Sequence, residues 1–350
     1  MRLEPVANPG LARSLGYPAV ALGLTVVVAS LLALAAKADP FATLGLILKG
    51  AAGSKFALLE TLNRATPLIF TGLAVAVAFR AKLWNIGAEA QFYAGALVAV
   101  LLGTGALGFL PGFLLIPAMA GAAMLAGALM LLGPVMLKVR LGVDEVVTTL
   151  LLNFIMLLFI SMLLEGPLKD PMGMGWPKSE PLDRAARLGR IVDGLRLHWG
   201  FGLALISAAV VWILQARTTL GYEIRAVGQN PQAARFAGIP VNLVLVKTAL
   251  LSGGLAALAG WSEVAGLKGN LTLDISPGFG YTGIIVAMLA LLHPGGVVIS
   301  AIFVAGIFVG ADSMSRAAGV PTYIADILLA TALLFMVLAI LLTRFRVVRG

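Results

Sequence analysis

The chain has 350 residues, of which 60% are apolar and only 12% charged, with a mean hydropathy of +1.01. Soluble domains carry about 25% charged residues, so most of this surface is not made for water, and the apolar runs are too long for an outsized soluble core. A net charge of +9 without a basic stripe among aromatics argues against nucleic acid, the absence of cysteine excludes disulfide and thiolate chemistry, and His198 and His293 stand too far apart for a metal site.

About 20 apolar residues cross a bilayer core as a helix. In chain order the candidates are 17–36, 65–79, 86–102, 113–137, 146–164, 198–215 and 243–264. Two short runs follow, 281–292 and 297–311, split by His293-Pro-Gly-Gly296, and 322–342 is the last. The fold class is therefore an all-α integral membrane protein of about ten transmembrane helices, some interrupted. The first run ends in AAKADP, which offers a cleavage site after Ala38. Its apolar stretch exceeds a signal core, so an uncleaved anchor is expected.

With both termini inside, thirteen of the 25 basic residues fall on inner segments. Ten of the other twelve lie in two longer outer segments, 37–64 and 165–197, where the charge rule binds less. Termini inside is the expected orientation. The 165–197 segment, rich in Pro, Gly and charge, is the largest aqueous excursion, and its 184–196 part is expected as a surface helix. No tandem repeat of 20–50 residues is visible.

Between the sixth and seventh runs stands RTTLGYEIRAVGQNPQAARFAGI, 217–239. Asn230 can cap orphan N–H groups, and Pro231 suits the first helical position. Two turns then reach Gly238, which can supply a left-handed stop. The sequence writes a short, capped helix flanked by Arg225 and Arg235. It suits either an interfacial helix held by lipid phosphates or a rigid plug that docks a cytosolic partner.

GYEIRAVGQNPQAARFAGI resembles the cytoplasmic coupling segment of permease subunits in the simple-sugar and nucleoside branch of bacterial ABC importers. LWNIGAEAQFYAGAL (83–97), VDEVVTTLLLNFI (143–155), EGPLKDP with WPKSEPL (165–182) and FGYTGIIVAMLALLHPGGVVISAIFVAGIF (279–308) resemble further stretches of that branch, in its order. The set covers about 61–342. It departs from the pattern at Ala90, where glycine is expected, and at Ala290, where a polar or basic residue is expected. These changes bear on substrate detail rather than on family.

The resemblance implies a single transmembrane permease domain over 1–350, with inverted-repeat architecture and a coupling loop at 217–239. Arg225, Asn230, Pro231, Ala234, Arg235 and Gly238 would meet a separate ATPase. It further implies a second permease subunit, identical or paralogous, an extracytoplasmic solute-binding protein, and a bacterial inner-membrane location. The outer loop points to a nucleoside first and a simple sugar second. No cofactor and no catalytic residue are expected.

Trp84, Asn85, Glu89 and Gln91 interrupt the second-to-third run. A carboxylate at mid-span costs at least about 2.5–3.5 kcal/mol, so it faces a cavity or a partner. If the helix breaks at Asn85-Ile-Gly87, these groups line the break. Amide and carboxylate groups would then hold ribose hydroxyls while Trp84 or Phe92 stacks on a base. The alternative is an ordinary ion pair of Glu89 with Arg80 or Lys82. Asn153, eight residues beyond Glu145 on one helix face, fits an interhelical hydrogen bond or a solute contact. Glu263, beside Trp261 near the outer end of the seventh run, is a candidate solute contact. Asp312 and Asp326 read as solvated or capping groups near span ends.

GAAGSKF (50–56) lacks P-loop spacing, and neither HExxH nor GxSxG occurs. Energy must come from another chain or an ion gradient. An ion-coupled secondary transporter is the main alternative to an ABC permease, and it would need buried titratable pairs. A membrane enzyme would need an acid/base or metal constellation that the sequence does not offer.

Overall fold

A computed structural model describes residues 2–5, 11–35, 39–105, 110–319, 345–348 and isolated helical positions between 323 and 343. The run at 322–342 falls largely outside these residues, and Asp326 and Ala38 wholly so. Two short strands, β1 (Arg2–Pro5) and β2 (Phe345–Val348), pair antiparallel and bring the two ends of the chain side by side. All other regular structure among the described residues is helical.

The chain forms two compact units, 1–61 with 303–350, and 62–302. The first holds α1 (Leu11–Ala35) and α2 (Pro40–Ala52). Asp39 caps α2 by accepting from the Phe41 N–H at 2.8 Å, with Pro40 at the first helical position. Leu44, Leu46 and Ile47 of α2 pack with Ala29 and Met314. The segment 37–64, expected as an outer loop, is thus mostly helix. α3 (Lys55–Arg80) begins ten residues before the expected span. Thr61, Asn63 and Arg64 depress the hydropathy there, but a helix closes its own backbone hydrogen bonds whatever its side chains.

The second unit continues α3 and adds α4 (Ala88–Gly103), α5 (Gly112–Leu141), α6 (Glu145–Glu165) and α7 (Gly200–Arg217). Two short helices follow, α8 (Thr219–Gln229) and α9 (Pro231–Phe236). α10 (Val241–Glu263) runs into a π-turn at Val264–Lys268 and is followed by α11 (Phe279–Leu289), while α12 (Pro294–Ala318) begins in this unit and continues into the first from residue 303. Asp312, expected near a span end, is half-buried inside α12, because that helix runs on to Ala318.

Six helices among the described residues are long and apolar enough to cross a membrane: α3, α5, α6, α7, α10 with its π-turn, and α12. α3 is 89% buried, whereas α6 is 22% and α7 28% buried. On α6 the exposed face carries Leu151, Phe154, Ile155, Leu158 and Met162. Such a patch belongs against lipid.

α4 and α10 pack antiparallel through glycines. Gly95 lies on the Ala257 backbone and Gly260 on the Phe92 backbone, so closely that neither has room for a Cβ. Small residues let membrane helices approach and gain dispersion. α3 and α11 pair likewise, Gly72 against Val286 and Gly283 against Thr71.

The 165–197 segment does not hold the expected surface helix. Only one 3-10 turn forms, Arg184–Ala186, because the strap spends its N–H groups on the stretch after α10. Ser179, Leu182 and Leu188 donate to the carbonyls of Leu271, Gly269 and Ala265 at 2.7–2.9 Å. Gly194, with φ +76°, also interrupts any helix there.

Candidate functional site

α3 ends at Arg80, and α4 starts at Ala88, so the expected break at 85–87 is present. α4 has 16 residues and α11 only 11, about 24 and 16 Å at 1.5 Å per residue. Neither spans a bilayer alone. Their N-termini meet: Gly280 sits against the Ala88–Glu89 backbone, where a Cβ would collide. Two helix N-termini together concentrate partial positive charge and orphan N–H groups.

Glu89 answers both needs. Its carboxylate is 3% exposed and accepts from the Gly280 N–H at 2.6 Å, with the Ser276 hydroxyl as a second partner. Ser276 Oγ in turn accepts from the N–H groups of Gly278 and Phe279 at 3.1 and 2.9 Å. The structure therefore turns Glu89 to the start of α11.

The buried stripe of α6 clasps the break from the other side, at a spacing of four residues. Glu145 accepts from the Trp84 N–H at 3.2 Å and pairs with Lys138. Thr149 Oγ accepts from the Ile86 N–H at 3.3 Å. Asn153 accepts from the Ala90 N–H at 2.9 Å, and donates to the Ile86 carbonyl and the Tyr281 hydroxyl at 2.9 and 3.0 Å. Asn85 and Gln91 exchange two amide hydrogen bonds at 2.9 and 3.0 Å, and Asn85 also donates to Ser252 of α10 at 3.0 Å.

Asn85, Glu89, Gln91 and Asn153 are thus all buried around the break, Asn85 bonded to Gln91 and Ser252, Asn153 to Tyr281 and the backbone at 86 and 90, and Glu89 to the start of α11. Phe92 is buried between Tyr93 and Phe279, with ring centroids 5.5 and 5.8 Å away. Trp84 stands apart, half-exposed and edge-on to Phe79 at 4.7 Å. Glu263, buried at the end of α10, comes level with Glu89 when the register of Gly260 on Phe92 is extended. Ser252, Ser276 and Tyr281 were not foreseen, since lone hydroxyls in apolar runs carry no pattern. Thr149 was readable midway between Glu145 and Asn153.

The segment 217–239 contains two helices rather than one. α8 buries Gly221, Ile224, Val227 and Gly228, and Gly228 lies on the Arg80 carbonyl at the end of α3. Arg225, expected at the docking surface, is half-buried and donates to the Gln215 carbonyl near the end of α7. α9 forms as its sequence writes it. Asn230 accepts from the Gln232 and Ala233 N–H groups at 3.0 Å, and Gly238 takes φ +80°. Ala234 is buried and Arg235 exposed, as is Phe236, at 95% of its surface.

A membrane-embedded helical chain, broken at mid-unit and carrying a rigid aqueous knob, is the class these features define. Residues 57–338 match the family model described as branched-chain amino acid transport system / permease component. The chain belongs to that family. It is 33% identical to the glucose ABC transporter permease protein TsgB13 of Haloferax volcanii, over 99% of this chain and 93% of that one. It is 35% identical to the guanosine ABC transporter permease protein NupP of Bacillus subtilis, over 79% and 80%. To the nucleoside ABC transporter permease protein NupB of Lactococcus lactis subsp. cremoris it is 30% identical, over 82% and 80%.

Proposed function

We propose that the chain, as one permease domain over 1–350, is the membrane-spanning subunit of an ABC importer that carries a nucleoside or a related small polar solute. ATP is hydrolysed on a partner chain, and a solute-binding protein and a second permease subunit complete the assembly. The subunit lies in the cell membrane among lipid, with both termini cytoplasmic.

The observation that carries this reading is the knob and its seat. α9 presents Phe236 to solvent, and α8 beneath it rests through Gly228 on the end of α3, next to the break. A helix of one and a half turns is a stiff lever. A push on α9 reaches residues 81–87 through packed backbone rather than through a slack loop. In this reading Arg225 anchors α8 to α7, while Asn230, Pro231 and Gly238 fix the shape of α9. Phe236 supplies the apolar anchor and Arg235 the charge.

The simple-sugar reading has its own support, the match to a glucose permease along nearly the whole chain. Uptake into vesicles bearing the complete importer decides between them. Saturable uptake of labelled guanosine, resisted by excess nucleoside but not by glucose, is the expected result. The reverse competition pattern would assign the sugar.

A further inference from the structure

α3 is the most enclosed of the six long apolar helices and the least apolar, at a mean hydropathy of 1.4. Part of that polarity is concentrated at Asn63. The side chain is 1% exposed, and neither its amide nitrogen nor its amide oxygen meets a hydrogen-bonding group of the protein among the described residues. The buried amides around the break, Asn85, Gln91 and Asn153, all have such partners. Four residues on stands Pro67, inside the helix. Proline has no N–H to donate, so the Asn63 carbonyl also loses its helical partner. The side chain at this position is thus left with hydrogen-bonding capacity, and its carbonyl lacks the usual i+4 donor, in a span where water is scarce.

The place is not arbitrary. The next residue, Arg64, holds its guanidinium 5.5 Å from the centre of the Phe279 ring. Phe279 is the first residue of α11, and the following N–H, that of Gly280, is the one that Glu89 holds. Asn63 therefore belongs to the helix turn that overlies the junction of the two half-helices.

We infer that Asn63 is a solute-contacting residue of the passage, its amide and freed carbonyl pairing with the hydroxyls or polar ring edge of an uncharged solute as it moves by. An amide offers donors and an acceptor together, which suits vicinal hydroxyls or a heterocycle edge and does not select for charge. The inference rests on the importer reading above.

Asn63→Leu separates this role from a structural one. Replacing an unpartnered buried amide by an apolar group of similar size removes no protein hydrogen bond, so folding is not expected to suffer. In proteoliposomes with the ATPase and binding protein, the variant should keep the wild-type melting temperature or exceed it, and keep basal ATP hydrolysis. Uptake of labelled guanosine, or of glucose if that is the solute carried, should fall at least tenfold with a raised half-saturation concentration. Unchanged uptake kinetics would overturn the inference, and so would a melting temperature lowered by several degrees, since the amide would then be a structural member. If the wild type carries neither probe, or carries one without the ATPase, the importer reading fails instead. The melting comparison then still decides whether Asn63 supports the fold.

Discussion

Glu89 illustrates how one buried carboxylate serves geometry before chemistry. It accepts from the Gly280 N–H in the first turn of α11, at the point where two helix dipoles present their positive ends. Glu89→Ala would leave the Gly280 N–H without its acceptor, at about 1–3 kcal/mol for an orphaned buried donor. Glu89→Gln keeps an acceptor oxygen. The expected outcome is a lowered melting temperature and lost uptake for the alanine variant, with most of the stability restored in the glutamine variant. Equal stability of the two would show that the cap is unimportant. His198 is a second single-residue test. Its ring fills a slot between Gly200 and Gly266, Nδ1 accepts from the Gly200 N–H at 3.1 Å, and burial pushes its pKa down to about 4. The unfolded chain protonates near 6.5, so it binds more protons than the folded chain between pH 6.5 and 4. Stability is therefore full above 6.5 and declines as pH falls through that window, by up to about 3 kcal/mol from this group. Melting temperatures measured from pH 7 to 4 should show a shallower decline in His198→Asn than in the wild type. Parallel curves would contradict the assignment. At this scale Asn85, Glu89 and Asn153 were legible because a polar residue in an apolar run is costly. What each one touches was not, because hydrogen-bond partners such as Ser252 and Tyr281 come from helices 128–167 residues away in the chain.

Among the elements, α9 was legible residue by residue, because capping is local chemistry: Asn at the cap, Pro after it, Gly at the stop. α8 was not, since its hydrophobic face is short and reads as loop until α3 is placed beneath Gly228. The same limit explains the strap at 165–197. Its charge and prolines told of an excursion from the membrane, but its pairing with 265–271 is a tertiary choice that overrides helix propensity. Likewise the polar residues at the start of α3 hid ten helical residues from a hydropathy reading. The testable element is α9. Phe236→Asp leaves every hydrogen bond of the helix in place and should leave the subunit folded, yet it puts a charge where an apolar anchor is proposed. Co-purification with the ATPase should drop by at least tenfold while the melting temperature of the isolated subunit stays within a degree or two. Undiminished co-purification would remove Phe236 from the docking surface.

For the molecule as a whole, the second unit carries long and half-length helices with the break at 81–87, and among the described residues its connections include the capped helix pair α8–α9. The exposed apolar faces of α6 and α7 require lipid, and the buried network around 85–91 requires that the break be shaped rather than slack. Around the break Glu89 caps α11 and Glu145 pairs with Lys138, and the importer reading takes the energy for transport from a partner chain. The measurement that tests this most directly is uphill uptake in proteoliposomes with and without the ATPase subunit, under an imposed proton or sodium gradient. Accumulation that needs both the ATPase and ATP, and is indifferent to the gradient, is what the importer reading predicts. Accumulation by the permease chain alone, driven by the gradient, would contradict it.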